Sequence, residues 1–374
     1  VSGDADAGGT ARIALVLASS TGGTGRHVAS LVQGLTAHGY RVSVHGPAAT
    51  DAQFGFTERG AEFTPVEIPA SPQPGDVTAV RALRQALRAS GAEVIHAHSL
   101  RAGLVASLAR PPGRPLVVTW HNLPLARGLR GRLYHRLERH VARAAAVTFG
   151  VSTDLVNRAR DLGARDVRHA AVPAPPLRPA ARGAEEVRAE LGVAADQPFV
   201  LAVGRLHAQK GHDVLIAAAA RLRERSPRPF VAIAGSGPAF FGLATRISQE
   251  RAPVTLLGNR DDVPDLLGAA DLSVVTSVWE GQPLFVQEAL AAGVPLIATA
   301  VGGIPDLVGD AALLIPPHDV DAATGAIQQL LDDSALRARY AKRGLTQAAG
   351  WPTEADTLAQ VEAVYAELRE QEAR

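Results

Sequence analysis

Two glutamates stand eight positions apart in "WEGQPLFVQEALAAG", residues 279–293. Glu280 opens the stretch and Glu288 falls inside an apolar run. Read as a helix ended by Gly293 and Pro295, that run places Glu288 four residues after Leu284 and three after Phe285, on the face expected to be buried. A bare carboxylate there is costly unless it is paired or hydrogen-bonded. Glu288 therefore reads as a ligand for something polar, as the structural partner of another side chain, or as part of a helix that is only half covered. Gly281 makes the turn, and the backbone from Gln282 through Pro283 and Leu284 to Phe285 opens the helix. Unpaired N–H groups at such a start form an anion site. A phosphate there, flanked by carboxylates that accept from sugar hydroxyls, accounts for both glutamates.

Cations follow a second motif, "VGRLHAQKGHDVLIAA", residues 203–218. Arg205 closes a strand and Lys210 lies in the next loop. An arginine fork with a lysine point charge suits a diphosphate. The plainer alternative is two solvated loop charges. Lys210 is one of only two lysines in the chain, beside 36 arginines, which favours a specific role.

The glycine-rich "SSTGGTGRHVASL", 19–31, joins the first strand to the first helix, and Gly22 and Gly23 would let a phosphate or sugar approach the backbone. It is no P-loop, because no Gly-Lys-Ser/Thr follows. Nor is it a dinucleotide fingerprint, since the next strand, "RVSVHGP", ends in His45 and Gly46 where an acid is expected. His96, His98 and His121 are read at strand ends. They could be satisfied structural histidines, substrate contacts or metal ligands. A metal needs a third ligand and a carboxylate shell that the sequence does not announce, so none is expected.

These residues need elements to hold them. Apolar runs at 12–19, 93–98, 115–121 and 145–152 read as buried parallel strands, and a second series runs at 199–205, 230–237, 254–258, 272–277 and 295–300. Helical patterns alternate with them, which predicts parallel sheets covered on both faces. The proline-rich "VPAPPLRPAARG", 172–183, separates the two series. The expected fold class is α/β: two doubly wound, Rossmann-like domains facing across a cleft. Residues 1–182 form the first, 183–352 the second, and 353–374 a final helix.

Composition sets bounds. A chain of 374 residues with 47% hydrophobic residues suits two globular domains. The absence of cysteine excludes a disulfide framework, a thiolate metal site and a cysteine nucleophile. The first apolar run, "IALVLA", is too short to span a bilayer, and a cytoplasmic protein is expected. Net charge is +1, but residues 1–182 hold 22 arginines against 12 acids, and the remainder holds 16 basic residues against 25 acids. Part of that excess is the stretch 125–144, with Arg127, Arg130, Arg132, Arg136, Arg139 and Arg143 against Glu138 alone. Leu129, Leu133, Leu137 and Val141 repeat there at helical spacing. It reads as a core-packed helix with a solvated arginine face, or as a surface for an anionic membrane or acceptor.

Taken together, "VGRLHAQKG", "AIAGSGP", the run from "LLGNRDD" to "GGIPDLV", and "GGTGRHV" resemble the retaining GT-B nucleotide-sugar glycosyltransferases. The resemblance is to the glycogen-synthase-like group (family 4 type), which contains many bacterial cell-envelope transferases. It is continuous over roughly residues 198–320 and patchy before them. It implies a hexosyltransferase with a Glu-x7-Glu motif, in which Glu280 meets the transferred sugar and Glu288 the ribose. It implies a diphosphate pair in Arg205 and Lys210, and sugar and phosphate contacts from the backbone of 282–285. A nucleobase edge is implied at Gly258 and Asn259, and His121 near the sugar. Gly22 and Gly23 join the donor site, while His98 and Arg26 are candidates for the acceptor. The group is metal-independent and needs no cofactor beyond the sugar nucleotide, and the last helix crosses back onto the first domain. The chain departs from the group at "VPAPP" (for Asn-Gly-Val-Asp), at Ser236 in "GSGP", and at Gln282.

The expected partners are a nucleotide-sugar donor and a sugar, lipid or polysaccharide acceptor, with peripheral contact to the inner face of an anionic membrane as a further option and no nucleic acid. The alternatives are a GT-B glycoside phosphorylase or epimerase, and an inactive sugar-nucleotide-binding protein.

Overall fold

The computed structural model describes residues 11–373 apart from 21, 70, 72, 74, 127, 171, 174 and 175. Thr21 of the glycine-rich turn, Arg127 of the basic stretch, and Ala174 and Pro175 of the proline-rich segment lie outside the described residues. The chain forms two compact units, Val1–Pro173 with Pro352–Arg374, and Ala174–Trp351.

The first unit holds strands β1 (Arg12–Leu17), β2 (Arg41–Gly46), β3 (Glu62–Pro65), β4 (Val94–His98), β5 (Leu116–Trp120), β6 (Val147–Gly150) and β7 (Val167–His169). They form one sheet in the order β3-β2-β1-β4-β5-β6-β7, every pairing parallel. β4 and β5 are buried along their whole length, as a sheet covered on both faces requires. The chain order reverses between β1 and β4, and ligands of such sheets bind beyond the strands' carboxyl ends at that switch. Gly22 and Gly23 follow β1, and His98 ends β4.

The final helix, Glu354–Ala373, belongs to this unit and puts Leu358, Val361, Val364, Tyr365 and Leu368 into the sheet's core. The Tyr365 hydroxyl lies 2.7 Å from His96 Nδ1, and His96 Nε2 lies 2.7 Å from the Thr119 hydroxyl. His96 is thus a satisfied interior histidine in the middle of β4, correcting its reading as a strand-end residue. Burial lowers its pKa to about 3, so it stays neutral.

The second unit holds β8 (Phe199–Val203), β9 (Phe230–Ala234), β10 (Val254–Gly258), β11 (Leu272–Val275), β12 (Leu296–Thr299) and β13 (Leu313–Ile315). Their order is β10-β9-β8-β11-β12-β13, again all parallel. Along β8, Phe199 and Leu201 enter one apolar layer while Val200 and Ala202 enter the other, so the sheet is buried on both sides. The switch falls between β8 and β11.

The unit boundary lies nine residues before the expected break after residue 182. Ala181 N–H donates to Asp265 Oδ1 at 2.7 Å, and Arg182 Nε to Asp265 Oδ2 at 2.9 Å. The end of the proline-rich segment is thereby fastened to the second unit.

The basic stretch forms a helix over Gly128–Ala144. Its leucine stripe does not pack as the spacing suggests: Val141 is buried, but Leu129 is 81% and Leu133 50% exposed. Glu138 is buried instead, and Arg158 Nε donates to it at 2.7 Å. The helix's only acid is therefore neutralised from another helix, Thr153–Asp161, and among the described residues its exposed arginines have no ion-pair partner.

Candidate active site

Arg205 and Lys210 lie in the segment after β8, and Glu280 in the turn after β11. These are the two strands that flank the switch of the second unit. The topology therefore brings the cations and the first glutamate to one sheet end, although 70 residues separate Lys210 from Glu280. Lys210 Nζ lies 2.6 Å from Glu280 Oε1, and the Ser277 hydroxyl donates to the same oxygen at 2.6 Å. Glu280 is only 7% exposed, and its carboxylate is paired and hydrogen-bonded, as burial of such a group requires.

The loops are locked to each other by backbone. Gln209 Nε2 donates to the Trp279 carbonyl at 2.9 Å, and Val278 N–H to the Gln209 carbonyl at 2.8 Å. The Thr276 hydroxyl donates to the Gly211 carbonyl at 2.9 Å. Gly303 N–H holds the Glu280 carbonyl at 2.9 Å. Gly211 and Gly302 permit this approach. Both have positive φ, +60° and +53°, and an added Cβ would sit 2.1 Å from the Thr276 carbonyl oxygen and 1.9 Å from that of Glu280.

Arg205 is exposed and has no ion-pair partner among the described residues. His212, just past Lys210, is buried; desolvation first and the Lys210 charge second lower its pKa to about 4.

The helix Leu284–Ala291 follows Pro283, has no side-chain cap and has no acid in its first turn. Its start therefore offers backbone donors to an anion. Pro283 carries no N–H, so it shapes this start without donating. The buried residues of the helix are Phe285, Val286, Gln287, Ala289 and Leu290, whereas Glu288 shares a partly exposed stripe with Leu284 and Ala292, as a half-covered helix would give. Gly258 ends β10 with φ +72°, and Asn259 beside it is exposed. Arg260 is engaged by Asp262 at 2.6 Å and Glu190 at 2.9 Å.

The remaining candidates belong to the first unit. His98 and His121 are buried after β4 and β5, with His98 Nδ1 3.2 Å from His121 Nε2. Burial holds both imidazoles well below the usual histidine range, hence neutral. Arg26 is exposed on the helix Gly23–Ala37, and the next residue, His27, is buried against both histidines. His27 is a third histidine that the sequence reading did not identify. Ser277 and Gln209 were missed as well; each is an ordinary polar residue until the loops meet.

Two doubly wound parallel α/β units of this kind make the GT-B fold. Residues 183–347 match the family model of glycosyl transferases group 1, and residues 22–175 that of the glycosyl transferase 4-like domain. The chain belongs to the glycosyl transferases group 1 family. A D-inositol 3-phosphate glycosyltransferase of Nocardioides sp. is 30% identical, the match taking in 93% of this chain and 87% of that one. Another, from Corynebacterium aurimucosum, is 36% identical over 201 residues, 50% of this chain and 47% of that relative, so here the chain spans about half the relative's length. The crystal structure of Anabaena HepE in complex with UDP and glucose is similar with a TM-score of 0.80 at 20% identity, over 96% of this chain and 100% of that one. Among the described residues, no helix is long and apolar enough to cross a membrane.

Proposed function

We propose that the chain is a retaining hexosyltransferase that uses a nucleoside-diphosphate sugar, with no metal ion in the transfer step. One observation carries this reading: the Lys210–Glu280 pair is fixed at the switch of the second unit, beside a helix start with backbone donors. As the sugar leaves, negative charge builds on the diphosphate, and donors already in place stabilise it without reorganising. Arg205 offers a fork with no ion pair to break. Lys210 spends one N–H on Glu280 and keeps two for phosphate oxygens. The N–H groups of Leu284 and Phe285 take further oxygens. Glu280 accepts from a sugar hydroxyl, and Glu288, on its half-open stripe, from the ribose. Gly258 and Asn259 border the base; Gly22, Gly23 and His121 of the first unit are the residues the resemblance assigns to the donor.

In this reading the anomeric carbon's bond to the diphosphate oxygen breaks, and the acceptor oxygen bonds on the same face. The departing phosphate oxygen takes the acceptor's proton. The HepE complex with UDP and glucose makes UDP-glucose the first donor to try. The named substrate of the Nocardioides relative makes a phosphorylated inositol the first acceptor, with Arg26 and His98 as its contacts. The test is NMR of the product's anomeric proton, with a panel of nucleotide sugars. An α-linked product with release of the nucleoside diphosphate is expected. A β-linked product, cleavage that requires inorganic phosphate, or no consumption of any nucleotide sugar would sink the reading.

Exposed Leu129 and Leu133 on the arginine-rich helix favour an acceptor carried by an anionic membrane. Arg130, Arg132, Arg136 and Arg139 are all exposed there, and each adds about 1 kcal/mol near an anionic bilayer. Flotation with anionic vesicles should recover the protein at low salt and lose it at high salt. Recovery should also fall in the triple variant Arg130→Gln, Arg136→Gln, Arg139→Gln. Binding indifferent to lipid charge would rule this part out.

A further inference from the structure

On the reading that assigns His121 to the transferred sugar, we infer that Tyr365, in the final helix, is a positioning residue for His121, and that the imidazoles between them hold His121 as a hydrogen-bond donor and not as a base. Tyr365 is fully buried, and its hydroxyl lies 2.7 Å from His96 Nδ1. His96 Nε2 lies 2.7 Å from the Thr119 hydroxyl. A ring bonded at both nitrogens is fixed in orientation. His96 and His98 stand two positions apart in β4, so their side chains leave the same face of the sheet. The two rings stack at 4.3 Å with 28° between their planes. His98 then reaches the end of β5, its Nδ1 3.2 Å from His121 Nε2. His27 packs edge-on against both rings, at 5.5 Å and 5.3 Å. Tyr365 thus bonds His96, His96 stacks on His98, and His98 bonds His121.

The proton positions follow from these partners. Burial keeps all four rings uncharged. One proton therefore lies between His98 and His121, and one ring gives while the other accepts. His98 Nε2, the nitrogen turned away from His121, is buried without a hydrogen-bond partner. Protonated, it would be an orphaned N–H, a rarer defect in folded proteins than an under-satisfied acceptor. The His98 proton therefore sits on Nδ1 and is donated to His121 Nε2. In a neutral imidazole the bond made at one nitrogen decides the state of the other, so His121 carries its proton on Nδ1. Its lone pair is already engaged. Such a ring gives a hydrogen bond to an oxygen but accepts no proton from one. This agrees with a transfer step in which the departing phosphate oxygen, and no side chain, takes the acceptor's proton.

Two-bond proton–nitrogen NMR of the imidazoles in substrate-free protein reads the tautomer, with His121→Gln to assign the resonance. His121 should be protonated at Nδ1, and Tyr365→Phe should shift the resonances of His98 and His121. In sugar transfer, Tyr365→Phe should lower kcat roughly tenfold, the rate equivalent of one misaligned hydrogen bond, with nucleoside-diphosphate affinity unchanged. Thr119→Val should do the same, while Thr119→Ser, which keeps the hydroxyl, should retain wild-type kcat. Val361→Ala trims only apolar atoms from the same helix and should lower stability while sparing kcat. A His121 protonated at Nε2, or wild-type kcat in both Tyr365→Phe and Thr119→Val, would overturn the inference. The Thr119 pair decides where Tyr365→Phe fails to fold. If the wild type consumes no nucleotide sugar, the transferase reading fails, and the NMR alone decides the tautomer and its dependence on Tyr365.

Discussion

Lys210→Ala lowers the rate of sugar transfer by about 10²–10³-fold, the scale on which removal of one fixed donor from a transition-state anion is felt. Lys210 loses two roles at once in that variant. It no longer meets the diphosphate, and Glu280 is left with the Ser277 hydroxyl while remaining 7% exposed. The second loss reaches folding, and a stability drop of about 1–3 kcal/mol is expected, because a buried charged acceptor has lost its ion pair. Arg205→Ala separates the two effects. Its guanidinium is exposed and makes no ion pair among the described residues, so transfer falls with little change in stability. Steady-state kinetics with urea unfolding on both variants checks this. Near-normal turnover in both would remove the cations from the reaction.

Gly302→Ala is the second large effect. At φ +53° an L side chain is strained, and its Cβ would lie 1.9 Å from the Glu280 carbonyl oxygen and 3.0 Å from Trp279 Nε1. The backbone must move, and the Gly303 N–H bond that holds the Glu280 carbonyl moves with it. We expect a loss of about 2–3 kcal/mol in unfolding free energy. Because a misplacement of about 1 Å costs roughly 10²-fold in rate, transfer should fall by that factor in the molecules that still fold. Gly242→Ala is the control: it lies in the helix Phe240–Glu250, and nothing lies within 4 Å of its added Cβ. It should be neutral or gain up to about 1 kcal/mol. Equal unfolding midpoints for the two variants would show that the contact between Gly302 and Glu280 positions nothing.

Much of this site is legible without coordinates because its parts sit where strands end. Arg205, Lys210 and Glu280 each follow an apolar run, and parallel sheets bind ligands beyond such ends. Contacts that form only across long separations were not legible. Ser277 is unremarkable until it reaches Glu280, and His27 looks like one more helix residue until its ring meets those of His98 and His121. For Glu288 the spacing left a buried face and a half-covered helix both open, because every neighbour at helical spacing is apolar; the partial exposure of Leu284 and Ala292 selects the half-covered helix. The strands β3, β7 and β13 carried no signal in "EFTP", "VRH" and "LLI". They are edge strands of three or four residues, two of them mixed in polarity, and edge strands need no long buried run. The unit boundary was missed because Asp265, far along the chain, fastens Ala181 and Arg182.

The central claim is that Arg205 and Lys210 hold the diphosphate of a sugar nucleotide, and calorimetric titration of UDP, GDP and ADP into the purified chain tests it most directly. At least one of the three should bind wild-type protein, its monophosphate should bind more weakly, and the double variant Arg205→Ala, Lys210→Ala should lose about 100-fold or more in affinity. Failure of all three to bind, or equal affinity in wild type and the double variant, would contradict it.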